Sequence, residues 1–121
     1  MSDNVNPGIT RVEKPWGYEL WWARTDRYVG KILHVKAGHA LSLQYHKVKV
    51  ETIYVQAGRL AFEIQEAGTL VTKQLTAGDC IHVPAGTVHR MTAVDDVDLF
   101  EVSTPELDDV VRLEDRYGRT T

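Results

Sequence analysis

The chain has 121 residues, a length that suits one compact domain and is short for two. Hydrophobic residues make up 43% and charged residues 26% of the sequence, which is close to ordinary soluble domains and excludes wholesale disorder. Seventeen acidic against fourteen basic residues leave a net charge of −3. This balance argues against a nucleic-acid partner or an anionic membrane surface, because both require a basic binding face.

The longest uninterrupted apolar run covers only residues 20–23. A membrane-spanning helix needs about 20 such residues, so we expect neither a membrane anchor nor a signal peptide. Cys80 is the only cysteine and has no partner for a disulfide within the chain. We therefore expect a cytoplasmic protein in which Cys80 is a small buried strand residue.

Short stretches rich in β-branched and aromatic residues alternate with turn residues along the chain. Residues 1–8 are expected to form a flexible N-terminus, and residues 105–121 a tail of mixed charge with a candidate helical turn at 106–110. The strands predicted between them are residues 18–23, 30–36, 40–46, 52–56, 60–65, 70–75, 80–83, 89–94 and 99–103. Many short strands at this spacing indicate a single all-β domain over residues 1–121, a sandwich or barrel with little helix.

Two neighbouring segments carry side chains of the kinds that bind metals. Because side chains alternate along a strand, Gln44 and His46 lie on one face of the predicted strand. Glu51 opens the next strand, and His89 follows a turn at 84–88. Each residue alone is ordinarily a strand or surface polar group. Together, imidazole, carboxylate and amide oxygen suit a divalent transition metal, with positions left open for substrate.

This spacing resembles the two motifs of the cupin family. The first motif, G-x(5)-H-x-H-x(3,4)-E-x(6)-G, is matched by Gly38, His46, Glu51 and Gly58, with Gln44 replacing the first histidine. The second, G-x(5)-P-x-G-x(2)-H-x(3)-N, is matched by Gly78, Pro84, Gly86 and His89, with Ala93 replacing the asparagine. The resemblance implies a single-domain cupin, a jelly-roll β-barrel.

Longer stretches resemble the type II phosphomannose isomerases, including the isomerase half of bifunctional mannose-1-phosphate guanylyltransferases. The stretches are 14–19 (KPWGYE), 41–46 (LSLQYH), 87–90 (TVHR) and 111–119 (VRLEDRYGR). Metal-dependent phosphomannose isomerases of this superfamily bind metal through a Gln, His, Glu, His set, which implies the ligands Gln44, His46, Glu51 and His89. The divalent ion expected there is zinc first, with manganese, cobalt, nickel or iron as alternatives.

The resemblance is incomplete in two places. Residues 47–53 (KVKVETI) stand where the family usually has His-His-Arg-Ala-Glu-His-Trp, so the family's substrate preference does not carry over automatically. The Gly-rich phosphate loop of the nucleotidyltransferase half is absent from the sequence. Guanylyltransferase activity is therefore not expected.

The implied reaction interconverts mannose 6-phosphate and fructose 6-phosphate by moving a proton between C1 and C2. It needs a base, an electrophile on the carbonyl oxygen and cations for the phosphate. Lys49 is the first catalytic candidate, since it lies on the metal face if the strand begins there. Arg90 is the second, provided that a bulge turns it toward the site. Both are alternatively solvated surface charges, and Arg116 and Arg119 meet either a phosphate or neighbouring carboxylates.

Three functions are compatible with these residues. The leading one is a metal-dependent sugar-phosphate isomerase. The second is an iron-dependent cupin dioxygenase that uses His46, Glu51 and His89. The third is a cupin that binds metal or sugar without turnover. In each case we expect a small-molecule ligand and a homodimer, with the apolar segment 16–22 as its interface.

Overall fold

The computed structural model describes residue 5 and residues 8–120 of the chain. The expectation of a flexible terminus at residues 1–8 falls mostly outside this part. No helix forms in the described residues, so the helical turn expected at 106–110 is wrong and none of these residues belongs to a membrane-spanning helix. The strands are β1 (Thr10–Lys14), β2 (Gly17–Arg24), β3 (Val29–Val35), β4 (Leu43–Tyr45), β5 (Glu51–Ala57), β6 (Leu60–Glu66), β7 (Thr69–Leu75), β8 (Cys80–Val83), β9 (His89–Ala93), β10 (Val97–Ser103) and β11 (Val111–Glu114).

The strands form two antiparallel sheets. The six-stranded sheet has the order β1-β2-β3-β10-β5-β8, and the five-stranded sheet has the order β11-β4-β9-β6-β7. Alternate side chains of both sheets point inward and form one core, which includes Trp16, Leu33, Val35, Ile53, Val55, Leu60, Phe62, Val83, Met91 and Leu99. The predicted all-β fold, a jelly-roll β-barrel, is confirmed.

Both strands missing from the sequence prediction lie at an edge of a sheet. β1 borders the six-stranded sheet and β11 borders the five-stranded sheet. β1 (TRVEK) has a single apolar residue, and β11 (VRLE) alternates apolar and polar residues over only four positions, the shortest stretch over which this period identifies a strand. The strand predicted at 40–46 is shorter than expected, because Ala40 makes only an isolated bridge to Thr92.

Two expectations about single side chains are wrong. Cys80 is exposed rather than buried, because β8 is an edge strand and Cys80 lies on its outer face. Trp16 is only 2% exposed and packs in the core of its own chain. Trp16 therefore cannot contribute to an interface between subunits, whereas Trp22 in the same segment is 48% exposed.

The inner face of the six-stranded sheet changes from apolar to charged along its strands. Leu33, Leu99 and Val55 are cross-strand neighbours in one buried row. Two residues further along the strands, Lys31 and Glu101 are directly opposite each other and also buried. Buried charges are costly unless other groups compensate them. The charged end of the barrel is therefore the part of the fold in which a functional site is expected.

A turn glycine keeps this barrel closed at the opposite, apolar end. Gly58 has a φ of +87°, and a Cβ atom there would collide with the backbone oxygen of Asp96. Only glycine accepts both the conformation and the close approach. The final glycine of the first motif thus has a structural reason to be present.

Candidate metal centre

Three of the predicted metal ligands meet at the charged end of the barrel. His46 follows β4, Glu51 opens β5 and His89 opens β9. One ligand atom from each of these buried residues lies within 4.8 Å of the other two. Gln44 is directly opposite His89 in the sheet and lines, together with His46, a cavity of about 400 Å³. The ends of β4, β5 and β9 therefore bring the predicted set together, and Gln44 and His46 place it next to the cavity.

Hydrogen bonds to backbone oxygens determine which histidine nitrogens face the cluster. His46 Nδ1 lies 2.6 Å from the carbonyl oxygen of Asp109, and His89 Nδ1 lies 2.9 Å from that of Thr87. A carbonyl oxygen only accepts hydrogen bonds, so each Nδ1 carries the proton and donates it. In the neutral rings each Nε2 then has a free lone pair, which is the form that binds metals.

When both rings are neutral, the three atoms that face each other, His46 Nε2, His89 Nε2 and Glu51 Oε1, are all hydrogen-bond acceptors, and none of them carries a proton to donate. Nε2 of His46 and Nε2 of His89 each lie 3.2 Å from Glu51 Oε1. His89 Nε2 is fully buried and makes no hydrogen bond with any described residue. Ligands about 2.1 Å from one metal ion in near-tetrahedral geometry are roughly 3.4 Å apart. The cluster therefore fits a divalent ion by both its chemistry and its spacing.

Gln44 differs from His46, Glu51 and His89, because its side-chain oxygen already accepts a hydrogen bond from outside the cluster. Its Oε1 accepts a hydrogen bond from Ser42 Oγ at 2.6 Å, and its side chain is half-buried on the cavity wall. A carbonyl oxygen has two lone pairs, so this hydrogen bond leaves one for a metal. Gln44 as the fourth ligand stays a prediction.

Lys49 lies in the interior and bridges two carboxylates. Its Nζ is 3.3 Å from Glu51 Oε2 and 3.3 Å from Glu101 Oε2, and all three side chains are at most 6% exposed. Burial lowers the pKa of the Lys49 ammonium, but Glu101 and Glu51 raise it by more, so the net shift is upward. Lys49 is therefore a fixed cation at the cluster and not a solvated surface charge.

Glu51 stays ionised although it is buried. Burial raises the pKa of its carboxyl, but hydrogen bonds from His46 and His89, which these rings donate from Nε2 only when protonated, and the charge of Lys49 outweigh this and hold the pKa well below its ordinary value in the metal-free protein. Glu101 differs, because burial and the nearby Glu51 charge raise its pKa to about 7 despite the attraction of Lys49. The cluster thus contains one firmly anionic ligand.

The structure does not bring Arg90 to this cluster. Its guanidinium forms two hydrogen bonds to Glu63, at 2.8 and 3.1 Å, and a third to Glu114 at 3.3 Å. Arg90 is not among the described residues that line the cavity. No bulge turns its side chain inward, because β9 pairs with β6 in regular register through Arg90. The geometry gives no support to a catalytic role for Arg90.

The two tail arginines behave differently from each other. Arg119 lines the cavity and at the same time binds Asp115 through two hydrogen bonds of 2.8 and 3.1 Å. Arg116 is exposed and donates to the backbone oxygen of Gly38 at 2.8 Å. The ion pair expected for Arg119 is therefore present, and it holds this side chain at the cavity.

Six charged residues of the site were not among the predicted site residues: Lys14, Glu19, Lys31, Glu101, Asp108 and Arg112. A signal for two of them exists in the sequence. In β3 the inward positions read Val29, Lys31, Leu33 and Val35, and in β10 Glu101 follows the inward Leu99. A charged residue at an inward-facing position of a strand, between buried aliphatic residues, is unusual. Such a residue therefore indicates that this part of the interior is polar.

Asp109 anchors the loop that carries the cluster. Its carboxylate accepts backbone hydrogen bonds from Lys47, Val48 and Lys49 at 3.0, 2.7 and 2.9 Å. These bonds, those from Lys49 and Lys47 most strongly, lower the pKa of Asp109 to about 2. The same residue receives the hydrogen bond of His46 through its backbone oxygen. The tail segment thus anchors the loop that carries the cluster.

We expect Asp109→Asn to destabilise the metal-free protein at neutral pH, because the weaker acceptor must serve three backbone donors. An aspartate in an unfolded chain has a pKa of about 4. Since folding lowers the pKa of Asp109, its stabilising contribution is complete above about pH 4 and is lost as the pH falls toward 2. The difference in free energy of unfolding between parent and variant, measured by urea titration, should therefore shrink over this interval. A difference independent of pH would contradict the anchoring role.

Comparison with known proteins places these residues in context. The sequence profile of the family described as "Cupin domain" matches residues 31–103. The chain is 37% identical over 113 residues to mannose-1-phosphate guanylyltransferase ManC of Salmonella typhimurium, a match that covers 89% of this chain and 23% of that protein. It is 32% identical over 115 residues to xanthan biosynthesis protein XanB of Xanthomonas campestris, covering 91% and 24%. The chain spans about a quarter of the length of these relatives.

Solved structures share the same fold at low sequence identity. KdgF from Halomonas sp. superposes with a TM-score of 0.72 and 20% identity, covering 89% of this chain and 94% of that one. A single-residue variant of oxalate decarboxylase from Bacillus subtilis gives a TM-score of 0.78 and 18% identity, covering 95% and 33%. At these identities the likeness concerns the fold alone.

Proposed function

The chain belongs to the cupin domain family, as its two motifs predict, and we propose that it is a metal-dependent sugar-phosphate isomerase of the cytoplasm. The proposed reaction interconverts mannose 6-phosphate and fructose 6-phosphate. Two observations support this proposal. The sequence motifs resemble those of mannose-1-phosphate guanylyltransferases, and the chain is 37% identical to ManC, a member of that group. Because the chain covers 23% of that protein, the activity has to be tested on this chain itself.

The acceptor cluster of His46, Glu51 and His89 carries the proposal. Two lone-pair nitrogens each lie 3.2 Å from one carboxylate oxygen, and we assign the three atoms to a divalent ion, zinc first, with Gln44 as the fourth ligand. A dication held by one carboxylate and neutral ligands keeps a positive charge. When bound, it supplies Lewis-acid polarisation of the sugar carbonyl, the electrophile that isomerisation requires.

Lys49 serves as a fixed hydrogen-bond donor in this proposal. Its ammonium lines the cavity next to the metal ligand Glu51. Because Glu51 and Glu101 raise its pKa against the effect of burial, Lys49 keeps its proton and is unsuited to act as the base. Its role is to orient a substrate oxygen and to stabilise the negative charge that develops on it.

The test is turnover of mannose 6-phosphate by the purified chain. Protein freed of metal with a chelator is reloaded with zinc, manganese or cobalt, and formation of fructose 6-phosphate is measured by a coupled assay. We expect activity that depends on the metal and disappears in Glu51→Gln. A parent that holds one ion per chain and converts no hexose phosphate would reject the isomerase in favour of a binding cupin. Oxygen consumption by the iron-loaded protein would instead indicate the dioxygenase.

We also propose that the chain forms a homodimer through the outer face of the six-stranded sheet. Leu20, Ile32, Phe100 and Tyr54 are cross-strand neighbours in one row on this face. Phe100 and Tyr54 stack with ring centroids 6.2 Å apart and remain 39% and 40% exposed. The six strands contain 38 residues and cover roughly 600 Å² in projection. Upright side chains increase this area toward the roughly 800 Å² per subunit of a stable interface.

We expect light scattering at micromolar concentration to give the mass of a dimer, which is twice the 13.7 kDa of one chain. Phe100→Glu places a charge in the centre of the apolar row and should yield a monomer, since an unpaired charge is costly to bury. Leu113→Glu is the matched control, because Leu113 is 46% exposed on an edge strand of the other sheet. A monomeric parent, or a Phe100→Glu variant that stays dimeric, would contradict this interface.

A further inference from the structure

The cavity wall is far more cationic than the protein as a whole. The chain carries a net charge of −3, yet the charged side chains that line the cavity are Lys14, Lys31, Lys49, Arg112 and Arg119 against Glu19 and Asp108. Like charges gathered in a concave, partly desolvated space create a strong local potential. Lys31, Lys49 and Arg119 each pair with a carboxylate, so Lys14 is the cavity cation for which an incoming anion supplies the missing counter-charge.

Lys31 is held on this wall by a buried pair. Its Nζ lies 3.2 Å from Glu19 Oε1, and the two side chains are only 8% and 10% exposed. Trp21 Nε1 donates to the same oxygen at 2.8 Å, and its ring lies under Lys31 Nζ, 5.2 Å from the centroid. An ammonium has three N–H donors and the ion pair occupies one. Lys31 is thus rigidly placed and still has donors for a ligand in the cavity.

Lys14 faces the same cavity without a compensating carboxylate. Among the described residues no acidic group lies within ion-pairing distance of its ammonium. Burial lowers the pKa of Lys14; the charge of Glu19 acts against this, but the charges of Lys31, Arg119 and Arg112 act with it, so the net shift is downward. A half-buried cation surrounded by other cations is unfavourable until an anion binds between them.

We propose that Lys14 and Lys31 form an anion subsite that receives the phosphate group of a phosphorylated small molecule. A phosphate monoester carries about −1.5 to −2 charges at neutral pH and has three acceptor oxygens, which match the ammonium donors of the two lysines. Arg112 and Arg119 extend the positive wall around it. The sugar as the rest of the ligand depends on the function proposed above, whereas the phosphate contact requires no turnover.

The test is calorimetric titration of the zinc-loaded full chain with mannose 6-phosphate, inorganic phosphate and mannose. In Lys14→Met we expect the affinity for mannose 6-phosphate to fall about tenfold or more, because a charge-assisted hydrogen bond is lost. Affinity for mannose, which lacks the phosphate, should stay within about twofold. The decrease of affinity with added salt should also become less steep.

Two further variants make the result decisive. Lys36→Met is the matched control, because Lys36 is an exposed lysine outside the cavity, and its affinities should equal those of the parent. Lys31→Met combined with Glu19→Gln removes the buried pair together and leaves no unpaired carboxylate, and it should show the same loss as Lys14→Met. Unchanged affinity for mannose 6-phosphate in both cavity variants would overturn the subsite.

The outcomes also separate the subsite from the isomerase. If the parent turns over mannose 6-phosphate with the same KM in Lys14→Met, the subsite is rejected and the isomerase stands. If the parent turns over no hexose phosphate but binds inorganic phosphate in a manner that requires Lys14, the subsite stands and the isomerase is rejected. A parent that binds neither inorganic phosphate nor mannose 6-phosphate rejects the subsite.

Discussion

His89→Ala is expected to abolish specific metal binding by the chain. The substitution removes one of the lone-pair nitrogens that lie 3.2 Å from Glu51 Oε1. The His89 ring is 1% exposed and stacked on Phe62. Because the position is enclosed in this way, no other side chain can take the place of the lost nitrogen. Loss of supporting residues around a metal already costs about 10- to 100-fold in affinity, and loss of a ligand should cost more. Zinc retained after gel filtration should fall from about one ion per chain to near zero.

Thermal unfolding gives a second, independent measurement of the same loss. An ion present at about 100 times its dissociation constant stabilises the folded state by about 2.7 kcal/mol. For a domain of this size that corresponds to an increase of roughly 10 °C in Tm. The parent should show this increase when zinc is added, and His89→Ala should show none. Comparing each protein with its own metal-free form cancels the destabilisation caused by the cavity that alanine leaves.

A matched histidine and two weaker variants sharpen the test. His82→Ala removes an exposed imidazole of β8 that contacts Thr52, and it should bind zinc like the parent. Gln44→Ala should weaken binding less than His89→Ala, since its oxygen is already shared with Ser42. Full zinc occupancy in His89→Ala would end the assignment of this cluster as the metal centre.

The sequence predicts the candidate metal ligands better than the charged residues around them, and the reason is physical. Gln44, His46 and Glu51 are close in sequence, so the two-residue period of a strand and one short turn suffice to place them. The motif containing His89 supplies the remaining ligand through its similarity to cupins. The period also predicts that Arg90, next to His89, points to the opposite face, and the structure pairs it there with Glu63.

The residues that the sequence could not place come from distant strands. Glu101 lies 52 positions after Lys49, and the contact between them depends on the pairing of β10 with β5. That register includes a shift between Asp98 and Leu99, which no local pattern indicates. The pairing of Lys31 with Glu19 likewise depends on the partners of β3. Edge strand β1 was missed because it contains one apolar residue, and β11 because its alternation spans only four positions.

Lys49→Met is expected to be the most destabilising single substitution at the site. It leaves the carboxylates of Glu51 and Glu101, each 3.3 Å from Lys49 Nζ and at most 6% exposed, without their shared cation. Removing one partner of a buried ion pair costs about 3–5 kcal/mol. Urea unfolding of the metal-free protein should show a loss of this size. Lys73→Met, in which an exposed ion pair with Glu66 is broken, should change stability by less than about 1 kcal/mol.

A second substitution separates the structural role of Lys49 from its proposed role at the substrate. Glu101→Gln in the Lys49→Met background removes one of the two carboxylates, so the double variant should recover a substantial part of the lost stability. Because the residues are in contact, their effects should be non-additive by about 0.5–3 kcal/mol. Additive effects would show that Lys49 and Glu101 are not energetically coupled.

Recovered stability should not bring recovered activity. Glutamine at position 101 relieves the buried charge, but it supplies no ammonium to orient a substrate oxygen next to Glu51, the proposed metal ligand. We therefore expect kcat for mannose 6-phosphate to stay at least about a hundredfold below that of the parent in the double variant, the effect of losing one donor to a developing oxyanion. Zinc content, measured in parallel, should remain near one ion per chain. A double variant that regains both stability and kcat would show that Lys49 only balances the charges of Glu51 and Glu101.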